Sequence, residues 1–364
     1  MWEFLSLNPE AFGLDISASS VKIVKLKKEK KRFGLASFGE QKIKEGIVGD
    51  GQIKDEDKLA AAIKETLNKV KGEKIRTKYV ICSLPEEKSF LQVIQMPKLQ
   101  EKDLKKAVQY EAENYIPLPL EEVYIDSQII PPICNHLDHS DVLLVAFPKK
   151  VVDSYVSFLK KAGLQPRALE LESLAIARAL IKKEVIPYSL LIIDIGSVRT
   201  GFIIYSGYSL RFTTSISISY FDFVEATKEE FKTNTAKAEK LQTKRGLVSK
   251  NPEGKKVFKS LVPVLADFVK QIKKYLDYYY SHSSHEHLPP EEKGIRKILL
   301  CGKGAQIKGL ADFLSEQLGI SVELGNPWVN ILPSLHQKPP LSQGESLKYT
   351  TALGLALRGI REKE

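Results

Sequence analysis

Between Phe12 and Lys27 apolar and polar residues alternate with a period of two, which predicts strands. A polar stretch follows, and then Leu59, Ile63, Leu67 and Val70 fall on one face of a helix expected over 58–71. Tyr79-Val80-Ile81-Cys82 is a short apolar run suited to a buried strand. From Ser83 to Gly163 the pattern reads strand, helix, strand, strand, helix. Phe90–Met96 is a strand stopped by Pro97. An amphipathic helix follows with Leu104, Val108, Ala112 and Tyr115, and Pro117 and Pro119 end it. Strands are expected over 123–130 and 142–147. A second helix carries Val152, Tyr155, Val156 and Leu159 and ends at Gly163. That order makes a small α+β unit set into a longer chain. Beyond it, a helical stretch is expected over 221–245. A long amphipathic helix over about 257–280 follows, with Leu261, Leu265, Phe268, Ile272, Tyr275 and Leu276 on its core face.

One pattern occurs twice. Leu14-Asp15-Ile16-Ser17-Ala18-Ser19-Ser20-Val21-Lys22 opens the chain, and Ile193-Asp194-Ile195-Gly196-Ser197-Val198-Arg199-Thr200-Gly201 returns mid-chain. Each is an apolar strand ending in aspartate, a turn of small residues, and a second apolar strand, so each predicts a β-hairpin. Small turn residues let successive backbone N–H groups close on an anion. Two facing hairpins would clamp a polyphosphate, with Asp15 and Asp194 holding Mg²⁺ through water. A third element, Lys297-Ile298-Leu299-Leu300-Cys301-Gly302-Lys303-Gly304-Ala305, runs a strand into a Gly-x-Gly turn. Glycines there would let a flat ring approach the backbone.

Composition narrows the class. With 364 residues, 43% hydrophobic and 27% charged, the chain has the profile of a globular protein of two or more domains. No run reaches the ~18 apolar residues of a membrane span. Glu3 and Pro9 stand where a signal peptide needs a basic region and an apolar core, so a cytoplasmic location is expected. Cys82, Cys134 and Cys301 are scattered and read as buried reduced thiols. The 55 Lys and Arg against 45 Asp and Glu leave a net charge of +10. Part of it crowds one hairpin: Lys22, Lys25, Lys27, Lys28, Lys30, Lys31 and Arg32. A lysine-protected edge strand is the favoured reading, and no nucleic-acid motif accompanies the charge. His282, His285 and His287 read as a solvated loop in preference to a zinc site.

In order and spacing, the two hairpins and the Gly-x-Gly turn resemble the phosphate-1, phosphate-2 and adenosine motifs of the actin-like ATPases. Leu169–Ala175 and Tyr349–Ala356 resemble the two connecting helices of that superfamily. Gln109-Tyr110-Glu111-Ala112-Glu113-Asn114-Tyr115-Ile116-Pro117-Leu118-Pro119 is similar to a signature of the PilM family, the actin-like components of type IV pilus machines. The opening Phe12-Gly13-Leu14-Asp15-Ile16 and Ala238-Glu239-Lys240-Leu241 are similar to that family too. The resemblance implies an α/β, actin-like (ribonuclease H-like), two-lobed ATPase fold that lacks actin's own first-lobe insertion. The first lobe would comprise 10–83, 164–188 and 345–364, with a recognition subdomain inserted over 84–163. The second lobe would span 189–344, with a nucleotide-binding helical part over about 221–285.

The same resemblance implies ATP and Mg²⁺ and assigns roles to positions. Asp15 and Asp194 would orient metal-bound water. Ser17, Ser19, Ser20, Gly196 and Ser197 would meet the phosphates, with Lys22 beside them and Arg199 near the second turn. Glu172 would position the attacking water. Glu239 would meet the ribose, with Gln242 one turn on, and Gly302, Lys303 and Gly304 would border the adenine. Four departures from the pattern lead us to expect slow or absent hydrolysis. Ser17 replaces a glycine and Lys303 replaces the middle glycine of the adenosine triplet. Gln242 replaces a basic residue, and Ile216-Ser217-Ile218-Ser219 replaces a glycine pair. The implied partner is a PilN-like single-pass inner-membrane protein whose short cytoplasmic N-terminal peptide would lie where the insertion meets the first lobe. That partner would hold the protein at the inner face of the membrane. Contact with a pilus motor ATPase and self-association stay open, as do two competing readings, an FtsA-like division protein and a small-molecule kinase.

Overall fold

Phe12–Ile16 (β1) and Ser20–Glu29 (β2) form the first hairpin, and Arg32–Lys42 (β3) continues the meander. The computed structural model describes residues 9–29, 32–132, 138–182, 185–248, 251–282, 288, 294–332 and 339–361. Short strands Val48–Gly49 (β4) and Gln52–Ile53 (β5) lead to helix Glu56–Asn68 (α1). Asp55 caps that helix by accepting the Lys58 N–H at 3.0 Å. Then come Lys71–Gly72 (β6) and Tyr79–Leu84 (β7). Phe90–Pro97 (β8), Glu101–Glu111 (α2), Val123–Ile129 (β9), His139–Pro148 (β10) and Lys149–Lys161 (α3) come next in the chain. Gln165–Leu171 (β11) and Glu172–Leu180 (α4) follow. Leu169–Leu171, expected at the start of a helix, are strand; the helix begins at Glu172.

The remainder begins with Ile186–Ile195 (β12), Thr200–Gly207 (β13) and Ser209–Ile216 (β14). The helical stretch expected over 221–245 is two helices, Tyr220–Phe231 (α5) and Thr235–Lys244 (α6). They part at Lys232, whose φ of 45° is left-handed, and at Asn234, which caps α6 by accepting the Lys237 N–H. Pro252–His282 (α7), Ile295–Cys301 (β15), Leu310–Leu318 (α8), Ser321–Leu324 (β16), Gln343–Leu347 (α9) and Thr350–Arg361 (α10) complete the chain.

The chain divides into two units. One holds residues up to Val185 with Asn326–Ser342 and Tyr349–Glu364; the other holds Ile186–Gly325 and Gln343–Lys348. Each is built on the same sheet. The first unit's order is β11-β7-β1-β2-β3-β6, and the second's is β14-β13-β12-β15-β16. In both, a three-strand antiparallel meander is extended by two parallel strands beside its first member.

β1 lies mid-sheet and is buried along its whole length. On one face, Phe12 and Leu14 pack with Leu59 and Ile63 of α1 and with Tyr155, Phe158 and Leu159 of α3. On the other, Gly13 lies against α10: a Cβ there would stand 2.6 Å from the Ala356 nitrogen, so only glycine lets strand and helix meet. The lysine-rich hairpin is not an edge. β2 is paired on both sides, and Lys22 and Lys25 are ion-paired to Asp15 and Glu10 at 2.9 and 3.0 Å.

The insertion is smaller than the 84–163 expected. Its own core joins Ile94, Met96, Leu104, Val108, Ala112, Ile116, Val123, Val142, Leu144 and Ala146, under the sheet β8-β10-β9. Ile116 and Leu118 of the proline-flanked turn pack into that core. α3 is not part of it, because its apolar face belongs to the core under β1. The segment 326–342, expected in the second lobe, also belongs to the first unit. Trp328, Ile331 and Leu341 pack with Val24, Leu26, Tyr349 and Leu353.

Candidate functional site

In the second unit, β12 delivers Asp194 to the hairpin and β13 returns opposite it, with Gly201 as the cross-strand partner of Asp194. A Cβ on Gly201 would meet nothing closer than Asp194 Cβ at 4.0 Å, so the carboxylate is uncrowded on its cross-strand side. The Gly196 carbonyl accepts the Tyr220 N–H at 2.9 Å, and the Ser197 carbonyl accepts the Phe221 N–H at 3.2 Å. The turn is thereby seated on the first turn of α5, whose entry is fixed by a reciprocal Ser219–Asp222 capping box. Arg199 donates to Ser215 Oγ at 2.9 Å and so ties the turn to β14.

The Gly-x-Gly turn follows β15 directly. Gly302 has a φ of 80°, and a Cβ there would collide with Asp194 Oδ1 and lie 2.6 Å from the Ile195 carbonyl oxygen. A Cβ on Gly304 would lie 2.8 Å from Ile195 Cβ. Both glycines are thus required by the close seating of the turn on the end of β12, a different reason from the approach of a flat ring. Lys303 reaches from the turn to Glu239 of α6, Nζ to Oε1 at 2.6 Å, and its ammonium lies 4.8 Å from the Tyr220 ring centroid. Burial and the nearby Glu239 charge push the Tyr220 phenol well above its ordinary pKa. Gln242 does not join this group. Its side chain is wholly buried and its amide donates to the Phe223 carbonyl and Thr227 Oγ1, binding α6 to α5. We therefore correct the expectation that it contacts nucleotide. A cavity of about 710 Å³ lies beside the turn, lined by Thr243, Gln306, Lys308, Asp312, Glu323 and Gly344 among others.

In the first unit, Asp15 is buried and its Oδ2 accepts from Lys22 Nζ at 2.9 Å. Ser83, at the end of the neighbouring parallel strand β7, donates from Oγ to Asp15 Oδ1 at 3.4 Å and accepts the Ile16 N–H at 3.3 Å. The serines close their own turn. The Ser17 N–H donates to the Ser20 carbonyl at 2.9 Å, and the Ser20 N–H donates to Ser17 Oγ at 3.1 Å. The Ser19 carbonyl accepts the Ile43 N–H at 3.0 Å. Ser17 holds an ordinary backbone conformation, so the turn needs no glycine at that position. Glu172 is the first residue of α4, where a negative charge is favoured by the helix dipole. Its charge and that of Asp15 reach Cys82 and Tyr155, whose pKa values rise chiefly through burial. The start of α4 is fixed by Glu86, which accepts from the Ser173 N–H and Oγ at 3.2 and 3.0 Å.

A second feature of the first unit is a cavity of about 200 Å³ where the insertion meets the sheet that contains β1. β9 lines one side with Tyr124, Ile125, Asp126, Ser127 and Gln128, and β11 and α4 line the other with Leu169, Glu170, Leu171 and Leu174. β9 and β11 are both terminal strands of their sheets. Glu170 is 3% exposed and is held by Arg178 at 2.6 Å and Arg358 at 3.1 Å, and Arg358 itself lines the cavity.

Sequence reasoning missed Ser83, Tyr220, Glu170 and Arg358. Ser83, Tyr220 and Arg358 lie in no motif, and Glu170 lies in the connecting-helix motif without a role assigned to it; each is brought in by pairing of β7 and β11 or by the packing of α5 and α10. Of the histidine trio, His282 caps the end of α7 and stacks on Tyr278 with centroids 4.3 Å apart, while His285 and His287 lie outside the described residues. Cys134 lies outside them too. Cys82 and Cys301 are buried free thiols, as expected. Among the described residues no helix is long and apolar enough to cross a membrane.

The comparisons with known proteins agree with this architecture. A family model described as type IV pilus assembly protein PilM matches residues 13–360. A solved PilM–PilN type IV pilus biogenesis complex has a chain 26% identical to this one, with a TM-score of 0.78 over 97% of this chain and 99% of that one. The ethanolamine utilization protein EutJ from Carboxydothermus hydrogenoformans is 15% identical, with a TM-score of 0.56 over 96% and 89% of the two chains. MreB 5 of Spiroplasma citri bound to AMPPNP is 14% identical, with a TM-score of 0.54 over 97% of each chain. The last two likenesses establish the actin-like fold expected from the paired hairpins.

Proposed function

The chain belongs to the type IV pilus assembly protein PilM family, and from that premise we propose that it is an actin-like, nucleotide-binding scaffold that grips the cytoplasmic peptide of a PilN-like inner-membrane protein. The single observation that carries this reading is the likeness to the PilM–PilN complex over 97% of this chain and 99% of that one. The alternatives of a division protein and a small-molecule kinase receive no comparable support.

The peptide would occupy the cavity between β9 and β11. Terminal strands offer unpaired backbone groups that an extended peptide can join, and pockets for alternate side chains then give selectivity. The apolar lining of Leu143, Val145, Leu169 and Leu174 suits aliphatic side chains, and Arg358 suits a carbonyl or carboxylate. Bound this way, the protein would stand at the inner face of the cell membrane through its partner. A fluorescently labelled peptide from such a partner should bind the full chain, and Tyr124→Ala, an exposed change on the β9 side, should weaken it by about tenfold without moving the melting temperature. A peptide that binds wild type and this variant alike would remove the groove from the proposal.

ATP with Mg²⁺ is the nucleotide proposed, and the residues present fit it. In the second unit, Asp194 is uncrowded on its cross-strand side, Gly196 and Ser197 form a tight turn suited to phosphate, and Glu239 can accept from ribose hydroxyls. In the first unit, Asp15, Lys22 and the turn serines are the groups suited to phosphate and hydrated cation. Bound Mg²⁺ would supply charge neutralisation at the phosphates. The chain's own part in hydrolysis would be modest. Glu172 would orient water, and Ser17 and Ser20 are already spent on closing their turn. Slow turnover is therefore expected, with Glu172→Ala removing it and sparing nucleotide binding. Calorimetry at millimolar Mg²⁺·ATP tests the reading; the absence of any heat of binding would leave a scaffold without nucleotide.

A further inference from the structure

Lys303 stands where an actin-like adenosine motif has glycine, and the structure gives its side chain two partners. Its Nζ donates to Glu239 Oε1 at 2.6 Å and lies 4.8 Å from the centroid of the Tyr220 ring. The three residues come from three elements of one unit: the turn after β15, helix α6, and the first residue of α5. Their setting is sheltered. The Lys303 and Glu239 side chains are 29% and 25% exposed, and Tyr220 is 2% exposed. Tyr220 is fixed in turn by its N–H to the Gly196 carbonyl at 2.9 Å, so the group borders the same hairpin that carries Asp194.

We propose that Lys303 gates the ribose side of this pocket: by holding Glu239 it makes nucleoside binding conditional on opening the Lys303–Glu239 pair. The inference rests on the nucleotide reading above. Its physical content is an exchange of bonds. Glu239 already accepts a charge-assisted hydrogen bond from an ammonium, and a ribose hydroxyl offers only a neutral one in its place. The ammonium must also leave the face of Tyr220, where the ring quadrupole attracts it. With glycine or alanine at 303, Glu239 would meet the ribose with nothing to release. An alternative role for Lys303, direct attraction of the phosphates, predicts the opposite sign, because removing the charge would then weaken binding.

Calorimetry on the full chain separates these roles, using Mg²⁺·ATP, adenosine and inorganic tripolyphosphate as three probes. Lys303→Ala should bind ATP and adenosine about tenfold more tightly than wild type, or ~1.4 kcal/mol, with tripolyphosphate unchanged or weaker. Lys303→Met keeps the aliphatic stem over Tyr220 while losing the ammonium, and it should show the same gain even if the alanine variant folds poorly. Lys303→Arg keeps the pair and should match wild type. Equal or weaker binding of ATP and adenosine by the alanine and methionine variants, with wild type still binding, would overturn the gate alone. An equal gain for tripolyphosphate would also overturn it, since a loosened pocket and not a ribose gate would be the cause. No binding of any nucleotide by wild type or variants would overturn the nucleotide reading and the gate with it.

Discussion

Gly354→Ala should destabilise the first unit, and the size of the effect can be worked from one helix crossing. Gly354 lies inside α10 where that helix meets α4, and a Cβ there would fall onto the Ala175 carbonyl oxygen and 2.5 Å from its carbonyl carbon. Clearing the carbonyl carbon alone, from 2.5 Å to the 3.4 Å at which ordinary contact begins, would part the helices by about 0.9 Å, and the nearer carbonyl oxygen demands more. The obstacle is backbone, so no side-chain rotation relieves it. Overpacking of this kind costs about 1–3 kcal/mol, and a rigid obstacle places it at the upper end. Alanine regains ~1 kcal/mol of helix propensity, leaving a net loss of about 2 kcal/mol. Gly359→Ala, on the same helix, is the control. Its Cβ would stand 3.1 Å from the Ala11 carbonyl oxygen and 3.3 Å from Ile81 Cγ1, a milder crowding that a shift of a few tenths of an ångström relieves and that offsets the same propensity gain. At roughly 2–4 °C per kcal/mol, thermal denaturation should show Gly354→Ala melting about 4–8 °C below wild type and Gly359→Ala within a degree or two of it. Equal melting temperatures for the two variants would refute the reasoning, because only the crossing distinguishes them.

Two further outcomes are expected from buried charge and buried thiols. Glu170→Gln should lower stability by about 2–3 kcal/mol in chemical denaturation, because it leaves Arg178 and Arg358 against a neutral group; a loss below ~0.5 kcal/mol would mean that solvent already compensates both arginines. Cys82 and Cys301 are held well above their ordinary pKa of 9.0 by burial, with Asp15 and Asp194 adding to it. A raised folded pKa contributes stability that is present below pH 9 and declines as pH rises past it, so the melting temperature should fall above pH 9, less steeply in a Cys82→Ser, Cys301→Ser variant.

What the sequence reveals and conceals follows from what each kind of pattern encodes. The paired hairpins are legible because a motif of small residues after Asp15 and Asp194 repeats with the same flanking strands. The existence of α3 is legible too, since Val152, Tyr155 and Leu159 recur at helical spacing. Its allegiance is not: an amphipathic face shows that something is buried there, never against what, and Tyr155 and Phe158 pack under β1 and not in the insertion. A deletion of 84–162 would therefore strip the first unit of Leu84, Phe147, Tyr155, Phe158 and Leu159, all members of its core. Gln242 is concealed for a similar reason. One helical turn separates it from Glu239, yet Glu239 faces Lys303 while Gln242 turns into the contact with α5. The two glycines of the adenosine turn are legible as a need for closeness, but only the structure identifies Asp194 and Ile195 as what they approach.

The repeated sheet finally shows why the two aspartates are not equivalent. β1 with β2 and β12 with β13 pair in the same register, so Asp15 faces Lys22 across the strands and Asp194 faces Gly201. The neighbouring parallel strand gives each carboxylate one weak neutral donor, Ser83 Oγ at 3.4 Å from Asp15 and Cys301 Sγ at 3.5 Å from Asp194. The cross-strand partners differ in kind. Lys22 places an ammonium 2.9 Å from Asp15 and offsets its charge, whereas Gly201 brings no side chain and leaves Asp194 uncrowded on that side. A hydrated dication is repelled by an ammonium already seated across the strand and admitted where the cross-strand neighbour carries no side chain. On the nucleotide reading, Asp194 is therefore the cation-facing member of the pair, and Asp15 serves first to hold Lys22. Asp194→Asn should abolish most of the Mg²⁺ dependence of ATP binding, whereas Asp15→Asn should weaken ATP binding by a similar factor with and without Mg²⁺. Calorimetry of each variant in Mg²⁺ and in EDTA reads this directly. Equal loss of Mg²⁺ dependence in both would mean that the cross-strand partner does not decide which aspartate meets the cation.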